Sequence, residues 1–203
     1  MHKRRSSLGF VIACAAVTLT SGTAAAAEVW GGAYRHDIKD GLSEGDFEGG
    51  AQLAAGVISE PIGLLRLLGR PSAYATGAVN TDGGTNYATA GLSWRLQRAP
   101  TDRLYLRPGL GVGVHDAEVD FPSPYEPGLT DAQRQVRFKR GLEEIDLGAR
   151  VLFNLELALG WQASERIAVE ASWMHLSHGE RAGSQNPGLS DLGVRLVYSL
   201  GGR

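Results

Sequence analysis

Apolar and polar residues alternate one by one along most of this chain beyond residue 27. The longest run covers residues 145–162. Its odd positions are Ile145, Leu147, Ala149, Val151, Phe153, Leu155, Leu157, Leu159 and Trp161, and its even positions include Asp146, Arg150, Asn154, Glu156 and Gln162. A period of two is the period of a β-strand, whose successive side chains point to opposite faces. The run exceeds the five or six residues typical of a globular strand. It suits a tilted membrane strand, which needs about 9–11 residues in the bilayer plus extensions.

The pattern recurs over residues 46–59, 87–97, 104–114, 167–177 and 189–200, and in weaker, Ala- and Gly-rich form over 28–38 and 73–80. That makes eight strands. No segment after the leader approaches the roughly 20 apolar residues of a membrane helix. An even set of alternating strands predicts an all-β fold, an eight-stranded antiparallel transmembrane β-barrel of outer-membrane type. The bilayer leaves no partner for a free sheet edge, so the sheet must close. The polar faces then point inward, carrying Glu48, Arg95, Arg107, Asp146, Arg150, Glu156, Glu170 and Arg195. Mixed acids and bases in so narrow a barrel imply a charge-paired plug, not a pore. A soluble lipocalin-type barrel would also alternate, with the faces exchanged.

The connections fit the membrane reading. Residues 97–103 and 163–166 read as short periplasmic turns, and 115–141 and 178–187 as external loops. Residues 60–72 form a longer periplasmic connection whose Leu-rich centre suits a short interfacial helix. Trp94, Trp161 and Trp173 read as interfacial girdle residues.

The first residues change the picture by adding a destination. A basic stretch, His2-Lys3-Arg4-Arg5, precedes an apolar run from Leu8 to about Leu19, and small residues follow up to Ala27. This is the pattern of a secretory signal peptide. It divides the chain into a leader, 1–27, and a barrel domain, 28–203. The single cysteine, Cys14, lies in that leader, where Val11-Ile12-Ala13-Cys14 also resembles a lipobox. With the leader removed, no disulfide or thiol chemistry is available. A net charge of −2 over 203 residues argues against nucleic acid as a partner. The five histidines show no zinc spacing, and no phosphate-binding glycine motif occurs, so no metal or cofactor is expected. Gly109, Gly111 and Gly113 read as relief of crowding in the fifth strand.

The candidate chemistry lies in Trp173-Met174-His175-Leu176-Ser177-His178-Gly179. His175 and Ser177 are two apart on a strand and share the face of Ile167, Val169, Ala171 and Trp173. In a membrane barrel that face looks at lipid. The seventh strand runs outward, so the pair reaches the outer leaflet, where lipid A resides. A hydroxyl beside an imidazole is a possible nucleophile and base. The same residues could also be plain interfacial polar groups, on a small barrel serving adhesion, envelope integrity or surface binding through its long loop.

The motif and its position resemble the lipid A 3-O-deacylase family (PagL-type, acyloxyacyl-hydrolase-like), and so does Asn186-Pro187-Gly188-Leu189 after it. The resemblance implies an eight-stranded barrel in the outer membrane of a Gram-negative cell. It implies a hydrolase that modifies lipopolysaccharide by removing the ester-linked acyl chain at position 3 of lipid A. Its partners would be the membrane and lipid A (lipopolysaccharide) of the outer leaflet; a homodimer of barrels is left open. By the same resemblance Ser177 is the nucleophile and His175 the base. The family has Asn after the Ser, as an oxyanion donor; here His178 stands there, with the Gly179 or Glu180 backbone N–H as further donors. The family's third member is a Glu just after a Gly on the last strand. Aligned on Gly188, Ser190 takes that place and Asp191 follows. Strict alternation turns Asp191 inward, and a β-bulge would be needed to re-aim it. Asp191 and Glu180 are therefore both candidates for the acid. An acyltransferase barrel is the remaining reading, but it draws on an interior acyl pocket that a charged interior does not offer.

Overall fold

The computed structural model describes residues 26–97, 103–119, 121–179 and 186–201. Most of the leader, including Cys14, lies outside these residues, as does Glu180. Eight strands build the fold: β1 (Ala26–Arg35), β2 (Ala51–Ser59), β3 (Ser72–Asn80), β4 (Tyr87–Ser93), β5 (Leu104–His115), β6 (Val151–Gln162), β7 (Ile167–Ser177) and β8 (Leu189–Ser199). A two-residue strand, Leu96–Gln97, prolongs the β4 side of β5. Each strand pairs antiparallel with the next, and β8 pairs with β1, from Glu28↔Ser199 to Arg35↔Leu192. The sheet is a closed eight-stranded barrel. No helix among the described residues is long and apolar enough to cross a membrane.

The two faces decide between the membrane and soluble barrels. Leu53, Val57, Leu110, Val112, Phe153, Leu155, Leu157, Leu159, Val194 and Leu196 are all exposed on the outside. Arg195, Glu170, Gln52 and Asn154 are buried inside. Apolar-out and polar-in is the membrane arrangement, so the lipocalin-type reading is set aside.

Inside, Glu170 is the centre of an ion-pair plug. Its Oε1 accepts from Arg107 Nε (2.9 Å) and the Tyr105 hydroxyl (2.6 Å), and its Oε2 accepts from Arg195 Nε (2.6 Å). Arg107 reaches on to Glu28 (2.6 Å), and Arg195 lies 3.5 Å from Glu156. The charges sit on different strands, so each pair is also a cross-brace of the barrel.

Several expected strands begin or end elsewhere, and β1 already stops at Arg35 instead of residue 38. β6 starts at Val151, because residues 145–150 form a turn. There Gly148 has φ 68°, and Asp146 accepts the N–H groups of Gly148 (2.9 Å) and Phe121 (2.7 Å). Ile145 and Leu147 are consequently buried under loop, not turned to lipid. Arg150 is spent on the carbonyls of His115 and Ala117. β2 starts at Ala51 because Asp37 Oδ2 folds the preceding segment back, accepting from Phe47 N–H (2.7 Å) and Glu48 N–H (2.8 Å). The first long loop is therefore residues 36–50. β4 ends at Ser93, and Trp94 donates its indole N–H to Leu68 O (2.6 Å).

A short 3-10 helix, Gly63–Leu68, occupies the expected place in the 60–71 connection, with Leu64 and Leu67 92% and 94% exposed. The long loop 116–150 holds a second helix, α1 (Asp131–Glu143), which strand alternation did not predict. Its local signal is a capping box: Thr130 accepts from Gln133 N–H, and the Gln133 side chain accepts from Thr130 N–H. It buries no residue.

Candidate active site

The candidate site lies where β7 and β8 reach the rim that carries loops 36–50, 116–150 and 178–188. β7 and β8 pair without a register break from Ile167↔Tyr198 to Leu176↔Leu189. This places His175 opposite Ser190, and Met174 opposite Asp191. Outward residues on the two strands are thus His175, Ser177 and Ser190, and inward ones Met174 and Asp191.

His175 Nδ1 lies 2.9 Å from Ser190 Oγ. The imidazole stacks on the Trp173 indole, with ring centroids 5.7 Å apart and planes 5° from parallel. Although it belongs to the outward face, His175 is only 3% exposed. The cover comes from loop 36–50 and residues 186–188. Glu44 N–H donates to Pro187 O (2.8 Å), and the Ser43 hydroxyl donates to Gly188 O (3.1 Å). Gly188, at φ 69°, lies against the ring edge: a Cβ there would meet Leu42 O at 2.7 Å and His175 Cε1 at 2.9 Å. Any side chain would push the ring or the loop away.

Ser177 ends β7 and is half-buried. It lies two positions from His175, on the same face. Nδ1 is turned to Ser190, and no hydrogen bond joins Nε2 to Ser177. His178 is buried, and its N–H donates to Asn186 Oδ1 (3.2 Å). Gly179 follows in the left-handed region at φ 60°, which turns the chain out of the sheet.

Asp191 is not brought to His175. The unbroken register keeps it on the inner face, where it is 1% exposed. Its Oδ1 accepts from His36 Nδ1 (2.9 Å) and Asp37 N–H (3.1 Å), and its Oδ2 from the Tyr87 hydroxyl (2.6 Å). His36 also bonds Glu48 through Nε2 (2.9 Å). With no bulge between β7 and β8, the placing of Asp191 as third member is corrected: its carboxylate belongs to the interior. The carboxylate that does stand on the outer side is Asp40, from loop 36–50. Its Oδ2 accepts the Trp173 indole N–H (2.8 Å), and its Oδ1 accepts the N–H groups of Leu42 (2.7 Å) and Ser43 (2.8 Å). Partial burial would raise the Asp40 pKa, but these donors outweigh it and hold the carboxyl below its ordinary value. Asp40 and the bracing role of Trp173 were not foreseen: Asp40-Gly41-Leu42-Ser43 reads as a turn, and nothing local ties it to a strand 133 residues later.

The sequence model of the lipid A 3-O-deacylase (PagL) family matches residues 66–199, about two thirds of the chain. The chain belongs to this family. The matched stretch includes His175, Ser177 and Ser190; Asp40 lies before it. Among solved structures, the crystal structure of the outer membrane enzyme PagL is similar over 86% of this chain and 100% of its own, at 11% identity and a TM-score of 0.55. At that identity the likeness shows the barrel fold alone. The Yersinia pestis outer membrane protein Ail, in a phospholipid bilayer nanodisc, aligns over 88% of this chain and 100% of its own, at 13% identity and a TM-score of 0.38. No curated protein sequence matches the chain.

Proposed function

We propose that this chain is a lipid A 3-O-deacylase working from the lipid-facing surface of its barrel, with Ser177 as nucleophile and His175 as base. The observation that carries this reading is the outward His175, its Nδ1 held by Ser190, two residues from Ser177 in a strand of the matched family segment. Ser177 Oγ attacks the ester carbonyl while its proton passes to His175 Nε2. The same nitrogen then protonates the departing 3-hydroxyl of the sugar, and an acyl-enzyme remains. Water, deprotonated by His175, releases the fatty acid and restores Ser177. The Gly179 N–H, where the chain turns at the end of β7, takes the oxyanion in this reading, with His178 beside it. The bilayer itself delivers and orients the acyl chain, so no deep pocket is needed. On export the leader up to about Ala27 is removed, and the barrel inserts in the outer membrane with this rim outside.

The test is expression in a Gram-negative host followed by mass spectrometry of lipid A, with insertion checked by heat-modifiable migration. Wild type should remove one 3-linked hydroxyacyl chain, and Ser177→Ala and His175→Ala should lose at least about a thousandfold in rate. Unchanged lipid A from verified, inserted wild type overturns the reading. A gained acyl chain would make the barrel an acyltransferase. A phenotype lost on deletion of residues 116–150 but not in Ser177→Ala would favour a non-enzymatic barrel.

A further inference from the structure

We infer that Asp40 is the carboxylate that positions His175, acting through the Trp173 indole that stacks on its ring. The inference rests on the proposed roles of His175 and Ser177. A catalytic imidazole needs its Nδ1–H held, so that Nε2 is the basic nitrogen, and a negative charge near enough to stabilise the imidazolium. In this chain the group on Nδ1 is a hydroxyl, Ser190 Oγ, at 2.9 Å. A serine can accept from Nδ1–H but brings no charge. The nearby negative charge comes from Asp40, which is tied to the imidazole through Trp173. The indole N–H holds Asp40 Oδ2 at 2.8 Å while its ring lies parallel to the imidazole. Asp40 thus fixes the indole that lies against His175. It comes from loop 36–50, so closure of that loop over β7 and β8 completes the site.

The rival account makes Asp40 only the keystone of its own turn, since Oδ1 accepts from Leu42 and Ser43 N–H. Asp40→Asn separates the two. An Asn keeps an acceptor oxygen for the turn but loses the charge and the second acceptor. Ser190→Glu, in the register opposite His175, would supply a carboxylate directly. Wild type, Asp40→Asn, Ser190→Glu and the Asp40→Asn/Ser190→Glu pair are compared in detergent micelles by two readouts. One is kcat and KM for lipid A deacylation. The other is the rate at which a fluorophosphonate probe labels Ser177, which reads its activation without lipid A.

The expected result is a fall of roughly 10–100-fold in kcat and in labelling rate for Asp40→Asn, with KM within about twofold, as for loss of a supporting partner. Adding Ser190→Glu should restore both to within about fivefold of wild type. Wild-type rates in Asp40→Asn overturn the inference. A loss that Ser190→Glu leaves uncorrected also overturns it and returns Asp40 to its turn. Labelling of wild type that follows this pattern without any lipid A deacylation upholds the positioning role and sinks the substrate reading instead. No labelling of wild-type Ser177 sinks both.

Discussion

Ser190 and Asp191 are neighbours on one strand, and one step of alternation sends them to opposite sides of the barrel wall. Ser190 meets His175 outside, while Asp191 meets His36 inside. The inner pair makes its own prediction. His36, just past the end of β1, is held between the Asp191 and Glu48 carboxylates. Burial disfavours its charge, but the hydrogen bonds and charges of the two acids more than offset that and raise its pKa from 6.5 to about 9. A raised folded-state pKa contributes stability that is complete below about pH 6.5 and is lost as pH rises through about 9. The contribution is on the order of 3 kcal/mol. Urea unfolding in micelles should show this decline between pH 6.5 and 9, and His36→Gln should flatten it; a flat wild-type profile would refute the clamp. The alternation that turns Asp191 inward is legible in the sequence. The partner it finds there is not, because His36 lies 155 residues away.

Strands carry their periods openly, but their limits are set by side chains that intercept the backbone. The apolar run of residues 145–162 predicts one continuous strand. Asp146 captures two backbone N–H groups and ends the pairing at Val151. Glycines in the strands answer to the interior. A Cβ on Gly160 would lie 2.1 Å from Tyr105 Cζ, and one on Gly111 2.6 Å from the Tyr74 hydroxyl. The crowding read into residues 109–113 is thus real at Gly111. Gly160→Val should displace Tyr105 from Glu170 and cost about 1–3 kcal/mol by overpacking, read as a lowered urea midpoint. α1 marks the opposite case. Its capping box is local, so Thr130→Ala should cost about 1 kcal/mol of helix stability. With no residue of the helix buried, the barrel's unfolding midpoint should not move. A shared loss of both would show the loop packed on the barrel.

At the scale of the whole molecule, closure is what converts eight amphipathic strands into an inside and an outside. The inside is charged yet sealed, because Glu170 is 0% exposed and faces two guanidiniums. Glu170→Gln would leave Arg107 and Arg195 without their shared anion, at a cost of roughly 3–5 kcal/mol, by analogy with other broken buried pairs. The residue is five positions from His175 and on the other face, so correctly inserted Glu170→Gln protein should keep its Ser177 labelling rate. A large fall in labelling at normal stability would mean that the plug and the outer site are coupled.

The period of two, repeated eight times, is enough to specify an eight-stranded barrel, which residues of each strand share a face, and that His175 and Ser177 share theirs with the apolar residues. These follow from the chain because side-chain direction in a strand depends only on residue parity. What covers the pair does not follow. That loop 36–50 folds back on Asp37, lies over β7 and β8, and brings Asp40 onto Trp173 is a matter of barrel closure between distant strands. Parity names the side of the wall on which a group stands. Only the closed barrel and its loops decide which charge stands next to it.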